Sequence, residues 1–179
     1  MQLHSQAEFD PNSNNPAEKG LQRVLQRLVQ TMQRDALVRQ TTNNLRESLQ
    51  VDRVVLYYFY SQWHGQVTFE ALSSEELSIL GSSGPDECFN DEYAALYLAG
   101  RTRAIADIES EPINPCHRDF LRTLQVRANL VVTVLVPKGL WGLLVAHHCQ
   151  APHSWTESNI QLMQSGAKTL TTSPYILET

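Results

Sequence analysis

The chain lacks what would fix it to a polyanion or a bilayer. Its 179 residues hold 14 Lys and Arg against 19 Asp and Glu, a net charge of -5, and no basic run forms a stripe. That argues against nucleic acid and against electrostatic membrane docking as partners. No stretch approaches the roughly 20 continuous apolar residues of a membrane helix. The opening "MQLHSQAEFDPNSNNPAEKG" has no hydrophobic signal-peptide core. Cysteine is scarce as well. Three cysteines, odd in number and widely spread, do not read as a disulfide framework and fit a reducing, cytoplasmic setting. Also missing are a G-x-S-x-G elbow and a phosphate-cradling glycine loop, which removes two familiar enzyme signatures.

What is present suits one globular domain, with 42% hydrophobic and 18% charged residues. Residues 1–18, rich in Asn, Pro, Ser and Gln, read as a flexible leader, and 19–179 as the folded unit. Leu21, Val24, Leu25, Leu28, Val29 and Met32 recur at helical spacing, predicting an amphipathic helix that continues less cleanly towards Leu49. "DRVVLYYFY" at 52–60 is dense in β-branched and aromatic residues and predicts a central strand. "HGQVTFEAL" follows as its hairpin partner, with the turn near His64-Gly65.

Glycine, serine and proline break the chain over 73–91. "NDEYAALYLAG" predicts a short helix with Asn90 as N-cap and Gly100 as its stop, and "RTRAIADI" a strand. "EPINPCHRDFLRTLQ" is a loop running into a second short helix, with Pro115 at the entrance and Cys116 in the first turn. "RANLVVTVLVPKGLWGLLVAHHC" gives two apolar strands around a Pro-Lys-Gly turn, and Thr156 caps a closing helix. Hairpin strands with grouped short helices and longer terminal ones predict an α+β fold. Its antiparallel sheet would carry helices on one face and a ligand pocket on the other.

Chemistry concentrates at two thiols, Cys88 in "GPDECFND" and Cys116 in "PCHRDFL", 28 residues apart. A helix N-terminus raises the thiolate fraction of Cys116, and His117 beside it adds a proton relay or a positive charge. Asp86 and Glu87 oppose thiolate formation at Cys88, so that thiol would both add and leave readily. Free cysteine is also often just a small buried hydrophobe. A Cys116–His117 hydrolase with Asp119 as orienter is disfavoured, because a triad draws its members from separate segments.

The strings "DRVVLYYF", "DECF", "YLAGRTRAIADI", "CHRDFLRTLQVRANLVV" and "LWGLLVAHHC" together resemble the GAF domains of cyanobacteriochrome photoreceptors, over residues 20–172. "DECF" ahead of Cys116 resembles the two-cysteine, or DXCF, subgroup. The resemblance implies a GAF fold, its terminal helices on one sheet face and a bilin pocket with short helices on the other. It implies a photosensory module and no enzyme, beyond autocatalytic bilin attachment and isomerisation of phycocyanobilin to phycoviolobilin. By the same resemblance Cys116 forms a stable thioether to ring A of a linear tetrapyrrole, phycocyanobilin or phycoviolobilin. Cys88 adds reversibly at the C10 bridge. Asp86 contacts the pyrrole nitrogens or ring D, and His117 lies beside the central rings. Arg101, or Arg103 in competition, meets a propionate, while Tyr97 and His147 line the pocket. A 15Z/15E isomerisation would then switch a violet- or blue-absorbing state to a green-to-orange one.

The implied partners are the bilin and an output domain of histidine kinase, chemotaxis or cyclic-dinucleotide class, in a monomer or homodimer. The chain departs from the family pattern at Thr133, where a proline is common, and in "LSILGSSG", which lacks an aromatic. A GAF module sensing a small molecule such as a cyclic nucleotide, without covalent chemistry, is the alternative. Plainer roles go to the remaining polar residues. Cys149 reads as packing, and alternation along a strand keeps His147 and His148 from sharing one metal ion. Arg118, Arg122 and Arg127 read as ion pairs on a solvated face, and Asp107 and Glu109 as partners of Arg103. Trp63, Trp141 and Trp155 read as core or edge aromatics.

Overall fold

The structure, a computed structural model, describes residues 15–62, 64–84 and 91–179. Helix α1 spans Pro16–Arg34 and α2 Ala36–Leu49. Strands β1 (Arg53–Ser61) and β2 (His64–Leu72) follow, then a 3-10 turn at Glu75–Leu77. Helix α3 (Asp91–Leu98), strand β3 (Arg103–Ile105) and helix α4 (Pro115–Thr123) come next. Strands β4 (Ala128–Val136) and β5 (Gly139–His148), then α5 (Glu157–Leu170) and α6 (Pro174–Glu178), complete the chain. The strands form one antiparallel sheet in the order β2-β1-β5-β4-β3. The α+β architecture expected from the sequence is the one observed.

Period-two alternation gives the sheet two unlike faces. Val54 and Leu56 of β1, Leu130, Val132 and Val134 of β4, and Leu144 and Ala146 of β5 point to one side. There they pack with Leu28, Met32, Val38, Leu45, Met163 and Leu170 of the long helices. Val55, Val67, Val131 and Val145 point to the other side, where Tyr97 of α3 packs against them. A third cluster of Ile105, Ile108, Ile113, Leu121 and Val126 seats α4 and the loop before it.

Two local expectations are corrected. The N-terminal helical pattern is not continuous, because Asp35 ends α1 and caps α2 with ψ at 109°. Its Oδ1 accepts from the backbone N–H groups of Leu37 and Val38, which starts a fresh helix. The β1–β2 turn falls just before His64, beside the expected His64-Gly65. Gly65 is a strand residue, and a β-carbon there would lie 2.2 Å from the Tyr58 carbonyl oxygen, so the close approach of β1 requires glycine. Helix α1 starts at Pro16 behind an Asn15 cap, inside the segment read as a leader.

Candidate functional site

The sheet face away from the long helices forms the floor of a cleft. Val55 and Tyr57 of β1, Val131 of β4, and Leu143 and Val145 of β5 line it from below. Tyr97 of α3 and His117, Phe120 and Leu121 of α4 line it from above, and Ser82, Ser83 and Gly84 from one side. The space measures about 800 Å³, open mouth included. Its mainly apolar and aromatic lining is typical of small-molecule sites.

Close backbone packing fixes the aromatic wall. A β-carbon at Gly142 would lie 2.0 Å from the Tyr57 carbonyl oxygen, so β5 presses directly on β1 there. The Tyr57 hydroxyl accepts from the Gly84 backbone N–H at 2.8 Å, tying the 82–84 segment to the cleft. Tyr58 points the other way, its ring centroid 5.0 Å from that of Trp141 in the helical core. One face of the tyrosine run lines the cleft, as the alternation predicts.

Helix α4 begins as its sequence suggests. Pro115 opens it, and the Asn114 side chain accepts from the Cys116 backbone N–H at 2.9 Å. Cys116 is exposed in this first turn, and His117 next to it reaches the cleft wall. Burial, reinforced by the charge of Arg103, lowers the His117 pKa from 6.5 to about 4. The imidazole is therefore neutral at physiological pH. Cys149 is a free thiol.

Of the other expected site residues, Tyr97 and His147 line the cleft and are buried. Arg101 is not among the lining residues, and its guanidinium carbon lies 5.8 Å from the Tyr97 ring centroid. Cys88 and Asp86 lie outside the described residues, as do Asn90 and Trp63. Sequence reasoning missed Asn129, which is buried in the cleft with its side-chain oxygen lacking a hydrogen-bond partner among the described residues. It also missed Arg53, which is fully buried and bonded to His147. Only strand register brings Arg53, His147 and Asn129 into one row across β1, β5 and β4.

The plainer residues sort themselves out around the site. Arg127 grips Asp107 with two hydrogen bonds of 2.7 and 3.0 Å, and Arg122 bridges Glu109 and Asp119. Asp107 and Glu109 therefore serve Arg127 and Arg122, not Arg103 as expected, because those two guanidiniums lie within 2.6–3.0 Å of the carboxylates. Arg118 departs from the ion-pair reading too, donating to the backbone carbonyls of Ile108 and Glu111. Asp119, held by Arg122, is unavailable to orient a Cys–His pair. His148 turns away from His147 and stacks on His153, with ring centroids 5.5 Å apart. Burial raises the Cys149 thiol pKa, in keeping with a packing role.

A twisted antiparallel sheet with long helices behind and a helix-roofed cleft in front defines a small α+β ligand-binding domain. The chain belongs to the GAF domain family, whose model matches residues 33–173. An uncharacterized protein of Picosynechococcus sp. (strain PCC 7002) is 48% identical over 86% of this chain and 94% of its own length. A Synechocystis protein named for methyl-accepting chemotaxis is 37% identical over 66% of this chain. The Synechocystis circadian input-output histidine kinase CikA is 31% identical over 78%. The chain spans only 12% and 22% of those two proteins' lengths.

Among solved structures, the blue-light-absorbing form of the Thermosynechococcus elongatus PixJ GAF domain superposes with a TM-score of 0.66. It is 30% identical, covering 89% of this chain and 90% of that one. The phycocyanobilin-bound GAF domain of a cyanobacterial phytochrome superposes at 0.68 with 27% identity, covering 84% and 91%.

Proposed function

We propose that this chain is the bilin-binding photosensory module of a cyanobacteriochrome, of the two-cysteine subgroup. The observation that carries it is the juxtaposition of a largely apolar, aromatic cleft with α4, which bears His117 in the wall and Cys116 in the same turn. The buried Asn129 side-chain oxygen, lacking a partner among the described residues, supplies a hydrogen-bond acceptor where a flat conjugated ligand with N–H groups would lie. The residues present therefore fit the group. PixJ and phytochrome GAF domains with the same fold support the reading.

In this reading Cys116 holds ring A of phycoviolobilin or phycocyanobilin as a thioether, an attachment the module performs on itself. Only a thiolate adds to carbon, so the sulfur must be ionised for the attachment. Neutral His117 lies against the central rings and can donate or accept one proton. Tyr97 and His147 border the ligand, and Arg101 or Arg103 pairs with a propionate. Arg103 is near enough for its charge to act on His117. Asp86 contacts the pyrrole nitrogens or ring D. Cys88 adds at C10 and leaves again, a reversible thioether that toggles violet or blue against green-to-orange absorption. The bound bilin supplies the 15Z/15E photoisomerisation itself. The module works in the cytoplasm, coupled to a kinase, chemotaxis or cyclic-dinucleotide output domain.

Production in cells making phycocyanobilin tests this directly. The purified protein should be coloured, fluoresce with zinc in a denaturing gel and switch reversibly under violet-blue light. Cys116→Ala should abolish the denaturing-gel signal. Cys88→Ala should keep the bilin and lose the short-wavelength state. A colourless wild-type protein after such co-expression would sink the reading in favour of a non-covalent small-molecule sensor.

A further inference from the structure

One guanidinium, with no solvent exposure at all, joins three parts of the cleft. Arg53 begins β1 and stands opposite His147 in the β1–β5 register. Its Nε donates to His147 Nδ1 at 3.0 Å. Its Nη1 donates to the Leu77 carbonyl at 2.5 Å, in the turn after β2. Its Nη2 donates to the Leu124 carbonyl at 2.6 Å, at the C-terminal cap of α4. A single planar fork thus fastens the base of α4 and the 75–77 turn to the sheet, and meets a cleft histidine at the same time.

The bond to His147 has a chemical consequence. A guanidinium can only donate, so Nδ1 must present its lone pair. The opposite ring flip would set the Cδ2 carbon against the Arg53 N–H, so the hydrogen bond also fixes the flip. A neutral imidazole with a lone pair on Nδ1 carries its single proton on Nε2. His147 lines the cleft, and no hydrogen bond to a described residue engages Nε2. Asn129, its cross-strand neighbour on β4, brings a side-chain acceptor into the same place.

We propose that Arg53 is a positioning residue of the cleft. Through its Nε–H it fixes His147 as the neutral Nε2–H tautomer, so that the cleft offers a hydrogen-bond donor there to a carbonyl-type acceptor on the ligand. Only the ligand's identity as a bilin rests on the proposed function; the tautomer belongs to the protein alone.

The surroundings are consistent with this. Burial and the Arg53 charge hold His147 well below the usual histidine range. Asp52 beside Arg53, Glu70 of β2 and Cys149 after β5 are the ionisable groups that bear on Arg53. Glu70 is occupied by Ser78 and the Ile79 N–H. From α4, neutral His117 shares the cleft with His147, and Arg103 of β3 acts on His117. None of these offers His147 a carboxylate to stabilise an imidazolium.

The test is a long-range 1H–15N correlation spectrum of the imidazoles in the ligand-free protein. Wild-type His147 should show a protonated Nε2 and an unprotonated Nδ1, unchanged across neutral pH. A protonated Nδ1, or an imidazolium pattern, would overturn the proposal without any variant being needed. Arg53→Met removes the donor at similar length and should turn the His147 signals into a tautomer mixture. Arg53→Gln restores a neutral N–H and should return at least part of the Nε2–H pattern. A merely structural Arg53 would lower the unfolding midpoint in both variants and leave the tautomer where it was. Failure to take up bilin would count against the proposed function alone, since the tautomer is measured without ligand.

Discussion

The two faces of the sheet are built from one alternating sequence and do opposite work. On the helical side Val54, Leu56, Leu144 and Ala146 meet Met32, Met163 and Leu170, all fully buried. On the cleft side one step along the same strands gives Arg53, Val55 and Tyr57 on β1, and Leu143, Val145 and His147 on β5. On the helical side Thr42 donates to the Val38 carbonyl and Ser173 to Asp35, while the buried Trp141 indole N–H has no partner among the described residues. On the cleft side Asn129 keeps a buried acceptor with no partner among the described residues. Where burial is complete and apolar, the face supplies stability. Where it leaves a void beside a spare acceptor, it supplies a site.

The sharpest way to break this contrast is a pair of truncations one residue apart. Leu144→Ala removes a fully buried side chain from the helical core and should destabilise by about 2–5 kcal/mol, because the surroundings cannot collapse. Val145→Ala faces a space that already exists, so little new cavity forms, and about 1–2 kcal/mol is expected. Urea midpoints of the ligand-free proteins decide between them. Equal losses would mean that the cleft floor is as tightly committed to folding as the core.

The fold was legible because these two faces are written as periodicity. The strands, the Gly100 stop with its φ of +87°, the Pro115 entrance and the Thr156 cap could all be read locally. The break at Asp35 was not, since a single capping residue interrupts an otherwise helical apolar pattern. Part of the cleft lining was expected too. His117, Tyr97 and His147 were placed by family resemblance, and all three line the cleft. Arg53 and His147 are 94 positions apart and Asn129 lies on a third strand, so nothing local signals that they meet. The Arg127–Asp107 and Arg122–Glu109 pairs were misassigned to Arg103 for the same reason: proximity in sequence is a poor guide to which fork reaches which carboxylate.

A second expected effect concerns pH and is led by a histidine of the cleft face. The unfolded chain protonates His117 near pH 6.5, whereas the folded protein resists until about pH 4. Between those values the unfolded state binds more protons, so stability is complete above pH 6.5 and falls as pH drops towards 4. The full loss from this group is of order 3 kcal/mol, at about 1.4 kcal/mol per pH unit. His147 and His153, also lowered by burial, act in the same direction. His117→Gln should therefore flatten the slope of unfolding free energy against pH in this window by roughly one proton, without abolishing it. An unchanged slope would show that His117 is solvated like an ordinary surface histidine.

The smallest effect sharpens the comparison from the helical side, where the buried polar group is structural. Asp35 accepts from Leu37 and Val38 through Oδ1, and from the Ser173 hydroxyl at 2.6 Å through Oδ2. Asp35→Ala removes the cap of α2 and leaves the Ser173 hydroxyl without its partner, at an expected cost of about 1–2 kcal/mol. Asp35→Asn keeps an oxygen for the cap and an amide that the Ser173 oxygen can accept from, so it should cost less than about 1 kcal/mol. Both variants should leave bilin uptake and the His147 tautomer untouched, because the sheet separates Asp35 from the cleft. A change of either would mean that the two faces are coupled through the sheet, with the junction of α1 and α2 as the place where the cleft is felt from behind.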